Sequence, residues 1–574
     1  MASRSDTSGR DYDAVVVGGG MGGLVCAAYL AVAGRRVLLA EQHDVVGGNS
    51  QVFRRRRRYE FDVGVHYLGD CGPDGILPAI LSGLGAAGRI GFRPMDRDGF
   101  DRLLLPGLAV DVPVGWDRYR ERLTAALPGE AAGITRCLAV LRAAAEDLRG
   151  KLTGRWQPGD AAHRELLLHS PGTLGALFAR WGLSPRAATL LAAQSGNYGS
   201  PPSRTQVVVH AAMLDHYLRG AYYPLGGGQM LPATLVEVIE AHGGTVRTRC
   251  PVERIAVGDD RRVRGVLLAG GESVRAPVVV SNADYRSTVL TLCQPSVFPA
   301  SVVSRTEAAG SRAAVAVVYL ALDRPLELPN ANLWCWADDD VERCYARALA
   351  PAADGTAADG GQAAEVPFAF LSFASLKDPG NPLVCPPGHS NFQVMTLVPP
   401  DDGRELAGYR RDRDYLAAKA RLTNALLDAA EQAVGPFRDR ITHQESATAR
   451  TNRRYTGSGS GSPYGLDHWG GPGRRPDVRT SVEGLYVTGR DTRHQAGIAG
   501  TAVGGITAAG HVLGRPGLLP EVYAGAVLGD PDLLPRRGAD FDPLRVSRGL
   551  ARRDARGLAR IDPPVLAGRP GRPG

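Results

Sequence analysis

The stretch Ala14-Val15-Val16-Val17-Gly18-Gly19-Gly20-Met21-Gly22-Gly23-Leu24, followed after one helical span by Val37-Leu38-Leu39-Ala40-Glu41, decides the reading of the chain. A β-branched run leads into a glycine cluster, small apolar residues at helical spacing follow, and a second apolar run ends on an acid. The pattern predicts strand, helix and strand, with G-x-G-x-x-G at Gly18, Gly20 and Gly23. The three glycines do different things. Gly18 permits a tight turn, Gly20 lets backbone approach a pyrophosphate, and Gly23 allows the helix to lie close on the strand. The helix N-terminus then offers the positive end of its dipole to the phosphates, and Glu41 is placed to accept hydrogen bonds from ribose hydroxyls. Residues 14–34 and 496–514 are charge-free runs long enough to suggest a membrane span, but the glycines inside them favour a strand, turn and helix in the first and a small-residue helix in the second.

A dinucleotide turn alone does not choose between cofactors; the distant segment Gly484-Leu485-Tyr486-Val487-Thr488-Gly489-Arg490-Asp491 does. It predicts a strand ending at an acid, and Gly497, Gly500 and Gly504 follow on a small-residue helix. Such a pair suits a cofactor long enough to reach from Gly20 across the sheet, which is FAD. Gly489 and Asp491 would meet its ribityl or pyrophosphate portion, and the helix opened by Gly497 would face the flavin. Asp491 has a plainer alternative role as a cap of that helix.

The rest of the chain bounds the answer. Its 574 residues, 44% hydrophobic and 22% charged, exceed one ordinary core. A net charge of +8 with pI near 9.1 comes almost wholly from arginine, since only three lysines occur; nucleic acid is disfavoured as a partner. The basic run Arg54–Arg58 reads as a solvated face, with phosphates or anionic lipid as the alternative. Eight scattered cysteines show neither CxxC spacing nor a Cys/His cluster, so no metal site and reduced cytoplasmic thiols are expected.

The expected organisation is an FAD-binding domain in three parts (11–100, 218–290, 441–514), a helical substrate region (101–217), a second substrate part of sheet and helices (291–440) and a basic Pro/Gly-rich tail (515–574). Within it, residues 61–67 read as a strand, residues 312–322, 368–375 and 391–398 as strands of a second sheet, and 546–560 as a basic surface helix. The fold class is therefore α/β, a Rossmann-like FAD-binding domain of the glutathione-reductase kind with a second α+β substrate domain.

Gly47-Gly48, Phe61-Asp62-Val63-Gly64-Val65-His66, Tyr223-Pro224-Leu225-Gly226-Gly227-Gly228, Val252-Glu253-Arg254-Ile255, Val280-Ser281-Asn282-Ala283-Asp284 and the segment ending at Asp491 occur in that order. Together they resemble the phytoene desaturase, carotenoid isomerase and retinol saturase group of FAD-dependent oxidoreductases over most of residues 11–514. The resemblance implies that Val252 offers backbone to the adenine, that Gly47 and Gly48 line the ribityl and phosphate path, and that a strand bearing Gly64 runs under the flavin. Asn49 follows the paired glycines where many relatives carry arginine, and Arg58 stands where a turn glycine is common.

The resemblance further implies a lipophilic polyene substrate, carotenoid, retinoid or polyketide, undergoing desaturation, saturation, reductive cyclisation or redox-neutral isomerisation. With one dinucleotide fingerprint in the chain, NADPH enters only as a candidate transient electron donor. His66, Tyr464 and His468 are the candidate acid–base residues, with Asp467 and His494 behind them; His210 and His216 are expected in the core or on the surface. Peripheral membrane contact through the basic tail is a further expectation, and oligomeric state is not legible. Two other readings compete: a flavin-free prenyl-binding protein of GDP-dissociation-inhibitor type, and a flavin amine oxidase with an aromatic cage and a cysteinyl flavin link.

Overall fold

The computed structural model describes residues 11–169, 172–350, 366–400, 413–467 and 475–550. The opening unit forms as its pattern demands: strand β1 (Ala14–Val17), helix α1 (Met21–Val32) and strand β2 (Val37–Ala40). Both strands are fully buried, because apolar runs without alternation can only be covered on both faces. Five parallel strands make this sheet, in the order Thr245–Arg247, β2, β1, Val279–Ser281, Leu485–Val487. Two strands that lie more than 460 residues apart in sequence, β1 and Leu485–Val487, thus flank a common neighbour in a Rossmann-like sheet. The helix Ile498–Val512, which closes the unit, packs on α1. A Cβ at Gly505 would lie 2.5 Å from the Gly22 carbonyl oxygen, so the two helices approach as only glycine permits.

A second sheet of seven strands runs Ile441–Ala447, Ala314–Leu322, Ser390–Val398, Phe368–Ser372, Asn332–Trp336, Asp101–Leu105, Leu108–Val112. The last two form a hairpin at the start of the region expected to be helical, and Ile441–Ala447 is a polar edge strand with no apolar alternation to announce it. Helices Trp116–Ala126, Ala131–Thr153 and Val207–Leu218 pack over one side of this sheet through a shared core that includes Tyr67, Phe100, Leu141 and Trp334.

Three expectations need correction. The strand near residue 61 spans only Tyr59–Asp62, paired with Val52–Arg55; Gly64 and His66 lie beyond it in a turn, because Asp62 is held by Tyr223 Oη and the Gly228 N–H. The run Arg54–Arg58 is a solvated face only in part: Arg56, Arg57 and Arg58 are exposed, but Arg54 pairs with Glu60 and Asp542, Arg55 pairs with Glu445, and Arg56 donates to the Thr442 carbonyl. The segment 515–550 is folded onto the first domain, burying Leu518, Leu519, Val522 and Leu544. The helix Pro543–Val546 stops where the surface helix was expected to begin, and residues 551–560 of that expectation lie outside the described residues; so do residues 351–364 of the Ala/Gly/Asp-rich stretch 350–364, whose composition reads as a linker. Among the described residues no helix is long and apolar enough to cross a membrane.

Candidate functional site

A cavity of about 680 Å³ runs between the two sheets. Gly18, Gly20, Glu41, Gly47, Gly48, Gly64, Val252, Gly489, Asp491 and Gly497 all line it, with His66 and Tyr464. Gly23 stands behind the wall: its Cβ would lie 2.2 Å from the Gly18 carbonyl oxygen, which is the close packing of α1 on β1 that the motif predicts. Gly18 adopts φ +94°, a conformation that side-chain-bearing residues rarely take. A Cβ at Gly22 would sit 2.9 Å from the Gly489 amide nitrogen, so the two ends of the chain meet at this wall.

Two helix N-termini open onto the cavity without side-chain caps, α1 at Gly20 and Ile498–Val512 at Gly497. Each leaves first-turn N–H groups for a ligand, and each carries positive dipole charge. Glu41 accepts from the Gly19 and His43 N–H groups at 2.6 and 2.7 Å, which fixes its carboxylate at the cavity wall with lone pairs to spare. Asp491 does not cap the closing helix. Its oxygens accept from the Tyr285 and Leu466 N–H groups, both at 3.0 Å, and burial raises its pKa. Four lining side chains also carry a buried polar atom with no partner within the protein, Asn49 Oδ1, His66 Nδ1, Thr488 Oγ1 and, at the far end among aromatic rings, Trp334 Nε1. Such deficits are costly and are of the kind a bound polar ligand relieves. The two uncapped helices, the acid at the end of β2 and these unpartnered atoms fit a dinucleotide with a heteroaromatic ring at its far end.

The candidate acid–base residues differ sharply in their surroundings. Burial pushes His66 down to about 3, with the nearby Lys377 charge adding to the effect, so its imidazole is neutral at physiological pH. Tyr464 spends its hydroxyl on the Gly196 carbonyl at 2.7 Å. Asp467 is held between Arg204 and Arg312, and burial pushes His494 down to about 4. His468 lies outside the described residues. His210 is buried in the core, bridging Tyr198 Oη and the Leu191 carbonyl, whereas His216 reaches the cavity and accepts from the Gly69 N–H at 2.9 Å.

Sequence reasoning misses a buried polar chain beside His66. Lys377 is buried and donates to the His66 carbonyl, Asn332 Oδ1 and Ser372 Oγ at 2.5–2.6 Å. Asn332 Nδ2 donates to Asp101 Oδ1, and Tyr67 Oη donates to Asp101 Oδ2 at 3.0 Å. Asn197 Nδ2 donates to Tyr67 Oη, and Tyr217 Oη donates to Asn197 Oδ1 at 3.4 Å. Burial pushes Lys377 down to about 7 and Asp101 up to about 6, so both stand near their ionisation points. The rings of Tyr67 and Tyr217 stack at 4.1 Å. A signal was present: a lysine between Leu376 and Asp378 in a chain with three lysines is an unusual choice for a segment this apolar.

The family model for flavin containing amine oxidoreductase matches residues 21–513, which spans both ends of the cavity. The chain belongs to that family. It is an FAD-dependent oxidoreductase. It is 27% identical over 540 residues to an all-trans-retinol 13,14-reductase of Danio rerio, covering 88% of this chain and 86% of that protein. It is 24% identical over 529 residues to a chloroplastic prolycopene isomerase of Daucus carota, covering 89% and 81%. Among solved structures, an oxidoreductase from Methanosarcina mazei superposes with TM-score 0.58 at 17% identity, covering 86% of this chain and 99% of that one, a likeness of fold.

Proposed function

We propose that this oxidoreductase acts on a carbon–carbon double bond of a linear conjugated polyene, by reduction or by isomerisation. The observation that carries the reading is the cavity's composition. Past Gly64 the nucleotide groove opens directly between Trp334, Phe368, Phe370, Met395 and Leu397, and the hydroxyls of Tyr198, Tyr464 and Thr396 at that end are spent on protein partners. An apolar chain would displace water there without leaving polar groups of its own unpaired. The relatives whose names describe a retinol reductase and a prolycopene isomerase support the same class.

FAD, when bound, supplies the two-electron exchange with the substrate carbon. The N–H groups at the start of α1 would hold its pyrophosphate, Glu41 its ribose, Val252 its adenine edge, and the Gly497 end of the closing helix its ring system. Gly47, Gly48 and Gly489 let backbone approach the linker between them, and Asp491 keeps the Gly489–Asp491 turn in place. His66, kept neutral and with Nδ1 unpartnered at the cavity wall, would offer a hydrogen bond to the bound group rather than a proton. Lys377 fixes that residue by its carbonyl. Tyr67, donating to Asp101 and accepting from Asn197, is committed to positioning. Amine oxidation is less well served: Tyr67 and Tyr217 are in contact with each other and leave no slot for an amine between them, and among the described residues no cysteine lines the cavity.

The test is anaerobic incubation of the yellow protein, reduced with dithionite or NADPH, with carotenoid, retinoid and polyene polyketide substrates, followed by mass analysis. A product heavier by two hydrogens marks reduction, and an isomer of unchanged mass marks isomerisation. Turnover of amines with none of polyenes would refute the proposal.

A further inference from the structure

The cavity has a second stretch that the nucleotide does not need. It is bounded by one face of the Ala131–Thr153 helix, where Ala145, Leu148 and Leu152 recur at the spacing of a single helical stripe, and by Ile76 and Ile498 opposite. Leu148, Leu152, Ile76 and Ile498 are all partly exposed, so this stretch reaches the surface. Its rim is braced: Arg149 donates to Asp70 Oδ2 at 2.7 Å, to the Asp74 carbonyl at 2.6 Å and to Tyr523 Oη at 3.2 Å. Arg149 is thereby neutralised by Asp70.

From this mouth the lining can be followed inward by contact. Gly69, next to Asp70, donates to His216, and the adjoining Tyr217 stacks on Tyr67. Tyr217 Oη reaches Asn197, and the neighbouring Gly196 meets both Tyr464 Oη and the Trp334 ring. The Val207–Leu218 helix supplies Val209, Met213 and Tyr217 as one stripe along this path, a span of about 12 Å at 1.5 Å per residue. His66 adjoins Tyr67 on this path, and its ring meets that of Phe370 at 5.7 Å.

We propose that the substrate chain enters between Ile76, Leu152 and Ile498, apart from the nucleotide groove, and lies along the Val207–Leu218 helix with its leading end against Trp334 and Phe368. This inference rests on the polyene reading above. It commits to one occupant, a linear apolar chain with its less apolar end trailing at the Asp70–Arg149 rim, because the hydroxyls of Tyr198, Tyr464 and Thr396 at the deep end are already satisfied and Trp334 presents there a single N–H, which the π face of a polyene can meet.

The test uses the flavin-loaded protein and cis-parinaric acid, a conjugated fatty acid that fluoresces on burial. Leu152→Cys is made and then modified with a PEG maleimide after folding, so that the plug cannot disturb folding; wild type treated identically controls for Cys335 and Cys385, which are half-buried. The expected result is that labelled L152C takes up the probe about tenfold more slowly, or worse, than the same variant before labelling, with treated wild type unchanged by the reagent and the flavin spectrum intact in all three. Ile76→Trp on the facing wall is expected to act in the same direction. Uptake by labelled L152C at the wild-type rate would overturn the proposed entrance and leave the polyene reading standing. Failure of wild type itself to bind the probe or any polyene would overturn that reading, and this inference with it.

Discussion

Replacing Gly23 by alanine perturbs the nucleotide grip without touching the ligand. The new Cβ would lie 2.2 Å from the Gly18 carbonyl oxygen and 3.1 Å from the Asn282 Cβ, where ordinary contact begins near 3.4 Å. The helix start must therefore lift from β1 by roughly 1 Å, a kind of overpacking that costs about 1–3 kcal/mol. Alanine recovers up to about 1 kcal/mol through helix propensity, so the net loss of stability is modest, about 0–2 kcal/mol. Affinity suffers more, because hydrogen bonds to a charged group contribute about 1.5–3 kcal/mol each and the lift misaims at least one of them. FAD binding to the G23A apoprotein, followed by flavin fluorescence quenching, should weaken by about 10- to 100-fold. Gly129→Ala, whose Cβ meets nothing within 4 Å, is the control and should bind as wild type. A G23A protein with wild-type FAD affinity would refute the reasoning.

Three other substitutions probe separate parts of the account. His66 has its folded pKa lowered to about 3, so below pH 6.5 the unfolded chain takes the proton first and the wild type loses stability as pH falls; at pH 5 this amounts to about 2 kcal/mol. His66→Gln removes that cost, and guanidinium melts at pH 7.5 and 5 should show the variant gaining about 2 kcal/mol relative to wild type on acidification; no relative gain would place His66 in water. Arg54→Ala strands the buried carboxylate of Glu60 and should cost about 3–5 kcal/mol, whereas Asp542→Ala, at the less buried partner that also caps the helix Pro543–Val546, should cost about 1–2 kcal/mol; equal effects in thermal melts would contradict the pairing. Asp491→Asn turns an amide donor toward a backbone N–H and should cost about 1–3 kcal/mol together with FAD affinity, an outcome that wild-type melting of D491N would exclude.

The nucleotide end of the protein is readable in sequence because its chemistry is local. A turn of φ +94° at Gly18, a helix opened at Gly20 and an acid at the end of the next strand are each written within thirty residues. The pairing of β1 and Leu485–Val487 through Val279–Ser281 can be anticipated because each of the three strands ends in a small-residue turn. The substrate side is less legible because its residues act through tertiary neighbours. Gly64 and His66 read as strand residues, yet Asp62 ends the strand through partners more than 160 residues away, Tyr223 and Gly228. Tyr464 reads as an acid although its hydroxyl is committed to Gly196, and His216 reads as structural although it reaches the cavity. The Lys377–Asn332–Asp101–Tyr67 chain joins four segments with no shared motif, and periodicity carries no trace of it. Arg54 and Arg55 read as solvated because their carboxylate partners, Asp542 and Glu445, lie about 490 and 390 residues ahead.

Every role proposed for the cavity requires one elongated flavin bridging the start of α1 and the start of the helix Ile498–Val512. An experimental density map of the yellow protein tests this most directly. The predicted result is a single FAD per chain, its ribose at Glu41, its pyrophosphate over Gly20 and its ring system between Gly64 and Gly497. Density for the pyrophosphate away from the α1 N-terminus, or a ring system remote from Gly497, would contradict it.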